Sequence, residues 1–394
     1  MTKPLPLDGI RVVDFTQVMM GPCATQMLGD YGAEVIKIER PGAGDLSRSS
    51  IPDDPGGLDS AVFRSLNRNK RSIALDTRGP AGKQIALDLI RRADVVCSNF
   101  RPGVMERMGF GYQALRAINP RIVYAFGSGF GPTGPNAHKG GQDVLAQAVS
   151  GVMHRRSDMD GPMSVYPTAL ADYSAGMHMV QGVLLALIQR DKTGEGQEIN
   201  VSLYNSMLAM QMQEAAAWMM LKRELNWGAM PLSGVFATRD GALVMVGAFK
   251  ANPLQDICRA LAIEDLSASP DFDSFPKLVQ NRARIQAVFR QRFAAETTAH
   301  WLARLEEQDL LCAPVRNMAE ALADPQTAAN RMVMEVADGS NGSMKLVGSP
   351  IDMGDAPIRR ARPPLLGQDG RAILQELGYP PERIAQLVTD KVVA

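Results

Sequence analysis

The chain reads as an α/β protein, a doubly wound parallel sheet in a large domain joined to a smaller α+β domain. Three observations point there. Short apolar runs alternate with amphipathic helical stretches over the first hundred residues, as expected when parallel strands are joined by crossover helices. The length of 394 residues suits two or three domains. With 45% hydrophobic and 21% charged residues, the composition is that of a folded globular chain.

The elements follow in order. Ile10–Phe15 reads as a strand, and Gly21-Pro22 opens a helix punctuated at its end by Gly29 and Gly32. Ala33–Glu39 and Arg71–Asp76 are further strands. Ala81–Ala93 carries Ile85, Leu89 and Ile90 at helical spacing, and Asp94–Phe100 and Arg121–Phe126 continue the alternation. Helices are expected over Ala169–Gln189 and from Val201 to about Leu225, separated by the Thr193–Gly196 turn. Val235–Thr238 and Ala242–Val246 flank Arg239-Asp240-Gly241 as a hairpin, followed by helical runs at Pro253–Leu261, Asn281–Ala294 and Thr298–Gln308. The expected division is a large domain over 1–225, a small one over 226–325, and a tail, 326–394, with a helix at Ala372–Leu377, returning to the first.

Basic and acidic residues number 42 each, so no global field draws the chain to nucleic acid or an anionic membrane. The opening residues lack the apolar stretch of a secretory signal, and no run reaches the ~18 apolar residues of a membrane span, so a cytoplasmic location is expected. Cys23, Cys97, Cys258 and Cys312 form no Cys-x-x-Cys pair, and the four histidines form no ligand motif. No metal is expected.

In a doubly wound sheet the ligand sits beyond the carboxyl ends of the strands. That singles out Thr16-Gln17-Val18, Arg40, Asn99-Phe100-Arg101 and Gly127-Ser128-Gly129. Gly129-Phe130-Gly131-Pro132-Thr133-Gly134 has the spacing of a dinucleotide fingerprint, but Pro132, Pro135, Gly140 and Gly141 prolong a loop where that motif must open into a helix. A glycine-rich loop whose amides approach an oxyanion is the other reading. Neither a nucleophile elbow nor a P-loop occurs. Asp172 stands among small and apolar residues, either as the N-cap of the following helix or as a carboxylate nucleophile; the local pattern favours the cap. Arg40, Lys70, Arg71, Arg101, Arg107 and Lys139 lie near strand ends, as phosphate ligands or as solvated surface charges. Phe100 is either a stacking platform for a purine or a core aromatic.

Several motifs together resemble the class III CoA-transferase family, of formyl-CoA transferase type. They are Leu7 to Phe15, Gly21-Pro22, Gly29 to Glu39, Asn67 to Ser72, Asn99 to Gly103, Gly127 to Gly134, Asp172 to Gly176, Thr193 to Gln197 and Pro364 to Gly367. The resemblance runs through nearly the whole chain in order. It implies an interlocked homodimer of two ring-like protomers, with acyl-CoA and a small carboxylic acid as substrates and a catalytic aspartate at Asp172. It also implies coenzyme A contacts from Gln17, Val18, Arg40, Leu75, Asn99, Phe100, Arg101, Arg107, Met108 and Lys139. Within the same fold, 2-methylacyl-CoA racemases carry Gly-His-Asp where this chain has Gly141-Gln142-Asp143, which favours transfer. A nicotinamide-dependent oxidoreductase and a non-catalytic coenzyme A binder are the readings from other classes. Oxalate-specific members resemble one another in a tetraglycine loop that is here Val246 to Pro253, which argues against oxalate; Lys250, Arg155 or Arg156 either receives the second carboxylate of a dicarboxylic donor such as succinyl-CoA, the expected substrate class, or simply faces water.

Overall fold

The computed structural model describes residues 4–156, 161–339, 342–354 and 358–394. They form two compact units: Met1–Val152 with Val165–Met212 and Ala329–Ala394, and Met153–Ser164 with Gln213–Ala328.

The first unit is built on a six-stranded sheet of β1 (Arg11–Asp14), β2 (Glu34–Glu39), β3 (Lys70–Ala74), β4 (Val95–Ser98), β5 (Val123–Ser128) and β6 (Glu198–Ser202). All neighbours are parallel and the order is β3-β2-β1-β4-β5-β6, so the direction of winding reverses between β1 and β4. Every residue of β4 and β5 is buried, as strands covered on both faces must be. Between β3 and β4, the Pro80–Arg91 helix begins on proline and turns Ile85, Ala86, Leu89 and Ile90 into the core. Ile85, Leu89 and Ile90 each contribute roughly 1.5–3 kcal/mol by leaving water.

One strand departs from the sequence expectation. The stretch beginning at Val201 is not helical throughout: Glu198–Ser202 is the edge strand β6, and helices follow at Leu203–Met210 and Met212–Leu221. Ile199 and Val201 are β-branched and suit a strand, and the Ser202 hydroxyl accepts from Asn205 N to start the helix without an intervening turn. The chain end closes the unit. Helices Gly370–Glu376 and Pro381–Thr389 place Ile373, Leu374, Ile384 and Leu387 in the same core as Val13, Ile36 and Ile73. Val393 then bridges antiparallel to Leu75.

The second unit carries an antiparallel sheet of β7 (Ser233–Ala237), β8 (Ala242–Val246) and β9 (Leu311–Pro314). Its helices at Pro253–Leu261, Arg282–Phe293 and Thr298–Glu307 fall where their apolar spacing puts them. Phe236 stacks on Phe293 at 4.7 Å, and Trp301 meets Phe293 edge-on at 5.5 Å. A further hairpin, β10 (Val333–Ala337) with β11 (Ser343–Val347), precedes the closing tail of the first unit.

Candidate active site

The reversal of winding between β1 and β4 leaves a crevice at their carboxyl ends, and the loops that leave these strands meet there. Asn99, after β4, accepts from Gln17 N through Oδ1 and donates to Gln17 O through Nδ2, both at 2.8 Å. This clasp fixes two expected site segments to each other. Beside it is a cavity of about 410 Å³ lined in part by Gln17, Val18, Asn99, Phe100, Arg101, Lys139 and Asp172.

The loop after β5 supplies another wall. It does not open into a helix: Ser128 Oγ accepts from Gly131 N, and the next helix begins only at Asp143. A Cβ on Gly129 would stand 2.4 Å from Gly141 Cα, so two stretches of backbone cross in direct contact and only glycine fits at the crossing. The crossing carries Gly140, Gly141 and Gln142 into the cavity lining. The helix N-terminus that a dinucleotide fingerprint needs is absent from this loop. Arg101 lies flat against Gly140, where a Cβ would come within 2.7 Å of its guanidinium. Arg101 and Lys139 are both exposed, and among the described residues neither is engaged in an ion pair, so both can meet an anion at the cavity.

Asp172 is the third residue of the Leu170–Thr193 helix, not its cap. The N-cap is Ala169, which makes no side-chain bond, so the local cap reading is corrected. The buried Asp143 is the partner that sequence did not reveal. Its Oδ2 accepts from Asp172 N at 2.9 Å and its Oδ1 from Gln147 Nε2 at 2.6 Å. Burial, with the Asp143 charge added, pushes the Asp172 carboxyl up to about 6. Near pH 7 such a group is still mostly ionised, yet more basic and more nucleophilic than an ordinary aspartate.

The remaining expected contacts lie outside this lining. Arg40 and Arg107 are exposed, at the end of β2 and on the Val104–Met108 helix. Met108 packs against the core. Leu75 is 2% exposed and its N–H donates to Glu39 O, so its side chain serves the core. Lys250 is also committed elsewhere: its ammonium donates to Gln308 O at 2.6 Å and lies within 3.6 Å of both Asp256 and Asp309. The expectation that it receives a substrate carboxylate is corrected, because local acceptors and carboxylates already satisfy it. Arg155 and Arg156 fall in the second unit, where Arg156 O accepts from Asn226 Nδ2. Among the described residues no group of three or more His, Cys, Asp or Glu is placed to hold a metal ion, and no helix is long and apolar enough to cross a membrane.

Residues 7–370 match CoA-transferase family III. The chain belongs to this family. It is 39% identical to an acyl-CoA transferase of Fusarium pseudograminearum, over 98% of this chain and 88% of that one. It is 36% identical to the succinyl-CoA:glutarate CoA-transferase of Mus musculus, over 98% and 90%. The crystal structure of a CaiB/BaiF family protein from Brucella suis superposes with a TM-score of 0.85 at 31% identity, covering 95% of this chain and all of that one. The protein is accordingly an enzyme that transfers coenzyme A, and CoA thioesters are its substrates.

Proposed function

We propose that the enzyme moves coenzyme A from a dicarboxylic acyl-CoA to a small carboxylic acid, with Asp172 as the nucleophile. The observation that carries this reading is a carboxylate of raised basicity in a crevice that also holds Arg101 and Lys139. Asp172 attacks the thioester carbonyl, forming a mixed anhydride as the C–S bond breaks and the thiolate leaves. The thiolate then attacks the aspartyl carbonyl, releasing the donor acid as a carboxylate and leaving an aspartyl thioester. The acceptor carboxylate runs the two steps in reverse. Each step exchanges one activated acyl bond for another, so no ATP is consumed. Amides of the Gly140–Gly141 crossing are the nearest candidates for holding the tetrahedral oxyanions.

In this reading the crevice receives the coenzyme. Gln17, Val18, Asn99 and Phe100 line the cavity together with Asp172, while Arg101, Lys139, Arg40 and Arg107 offer cations to the phosphates. Leu75, through its backbone, and the half-buried Met108 are the remaining expected contacts of the coenzyme. Gln142 lines the cavity where a racemase of this fold carries histidine, which supports transfer over proton abstraction. The similarity to a succinyl-CoA:glutarate enzyme supports a dicarboxylic donor. An interlocked homodimer agrees with the apolar side chains left exposed on single helices, among them Leu185 and Ile188 on Leu170–Thr193 and Trp218, Met219 and Met220 on Met212–Leu221. The four free cysteines suit a reducing compartment such as the cytoplasm.

Incubation with an acyl-CoA and hydroxylamine is expected to leave a hydroxamate on Asp172, located by peptide mass spectrometry. A panel of donors against oxalate, succinate and glutarate, read by mass spectrometry of the CoA products, tests the substrate class. Undiminished transfer by Asp172→Ala would refute the assignment of the nucleophile.

A further inference from the structure

The turn that leaves β1 is held almost entirely by side chains. Thr16 N donates to Asp14 Oδ1 at 2.8 Å, Gln17 N to Asn99 Oδ1 at 2.8 Å, and Val18 N to Asp45 Oδ1 at 3.0 Å. The carbonyls are held too, Thr16 O by Lys37 Nζ at 2.6 Å and Gln17 O by Asn99. The two peptide groups flanking Gln17 therefore depend on residues distant in sequence, while Thr16 N is held by Asp14 two positions before it. The holding is needed because Val18 has φ +67°. A β-branched residue in the left-handed region is a strained exception, kept only where its surroundings over-determine it.

Asp45 and Lys37 form a buried ion pair at 2.8 Å, with side chains 1% and 0% exposed. Asp45 Oδ1 also accepts from Ser47 N and Ser47 Oγ. The carboxylate is thus locked between a fixed cation and a short helical turn, and Val18 N is the group it presents toward the crevice. Burial opposes ionisation of Asp45, but Lys37 and these hydrogen bonds hold its carboxyl below the usual range, so it remains a charged acceptor through neutral pH.

We infer that Asp45, seated on Lys37, is a positioning residue that holds the Gln17–Val18 backbone in its left-handed turn, so that these two residues form the crevice wall beside Asp172. The inference rests on the proposed transfer at Asp172 for its functional meaning, and its structural content is tested apart from turnover.

In the free wild-type enzyme, hydrogen exchange should show the Thr16, Gln17 and Val18 amides protected at least about 100-fold against unstructured-peptide rates. Unprotected amides there would overturn the inference without any variant. Removing Asp45 alone strands the Lys37 charge, so the informative variant is the double substitution Lys37→Met/Asp45→Leu, since replacing a buried pair by apolar residues is commonly tolerated. Exchange at Val18 should rise at least about tenfold and kcat should fall by a similar factor, with the overall melting profile preserved. Lys37→Met/Asp45→Asn, which keeps an acceptor for Val18 N without stranding a charge, should retain most of the protection. Adding Val18→Gly to the double substitution should recover transfer, because glycine takes φ +67° without strain. An equal loss with and without Val18→Gly would show that Asp45 acts elsewhere. If wild-type enzyme transfers no coenzyme A while the exchange pattern holds, the reading of the reaction fails and the positioning role stands.

Discussion

Replacing Asp172 by asparagine is expected to abolish transfer and at the same time to stabilise the fold at alkaline pH. The folded enzyme raises this carboxyl from 3.8 to about 6, chiefly by burying it and secondarily through Asp143. A raised carboxyl pKa means that the folded chain binds the proton more tightly than the unfolded chain does. The ionised group therefore costs stability, and the cost grows as pH rises from about 4 to about 6, then stays constant. At 1.36 kcal/mol per unit, the penalty at pH 8 is about 3 kcal/mol at most, and at pH 5 about half of that. Asparagine has the same shape and no charge, so it removes the penalty. Urea unfolding of wild type and Asp172→Asn at fixed protein concentration, at pH 5 and pH 8, should show the variant's advantage growing by roughly 1.4 kcal/mol between the two. The acid limb of kcat/KM for the wild type should fall near pH 6. A variant whose relative stability is independent of pH, together with an acid limb near 4, would show that Asp172 is an ordinary solvated aspartate.

Asp143→Asn keeps an acceptor for Asp172 N but removes the neighbouring charge; because burial is the larger cause, the acid limb of the pH–rate profile should move down by no more than about one unit. Gly129→Ala drives a methyl group into Gly141 and should cost more than about 2 kcal/mol with at least a tenfold loss of transfer. Gly131→Ala, at φ +93° in open space, should cost only about 1–2 kcal/mol; thermal melts and initial rates of the two variants test the contrast. Lys250→Ala should lower stability by about 1 kcal/mol and leave donor and acceptor preference unchanged in a substrate panel.

The sheet was legible because β4 and β5 are largely apolar runs and Val12-Val13 marks β1, and the rule that ligands gather at strand ends then led to Gln17, Val18, Asn99, Phe100 and Arg101. What escaped was whatever depends on partners far apart in sequence. Asp143 and Asp172 are separated by 29 positions, and no local pattern announces a carboxylate accepting from the amide of another acid. Asp45, 27 positions from Val18, is equally silent in the sequence, as is the left-handed backbone of Val18 itself. β6 was hidden because Ser202 ends the strand and starts the helix at once, without glycine or proline to mark the junction. β9 spans only four residues, too few for alternation to register. Lys250 looked available because the carbonyl that engages it, Gln308 O, lies 58 positions away.

The bridge from Leu75 to Val393 has a consequence for how the molecule comes into being. Three strands emerge from the ribosome early, but the core that covers them needs Ile373, Leu374, Ile384 and Leu387, which are synthesised last. Met153–Ser164 and Gln213–Ala328 make up a compact unit of their own, and its residues are synthesised sooner. Folding is therefore expected to settle the middle of the chain first, while the earliest-made strands wait with apolar edges uncovered. Loop closure across some three hundred residues adds little to the equilibrium cost but slows the final step, and that interval is when the nascent enzyme is most exposed to aggregation.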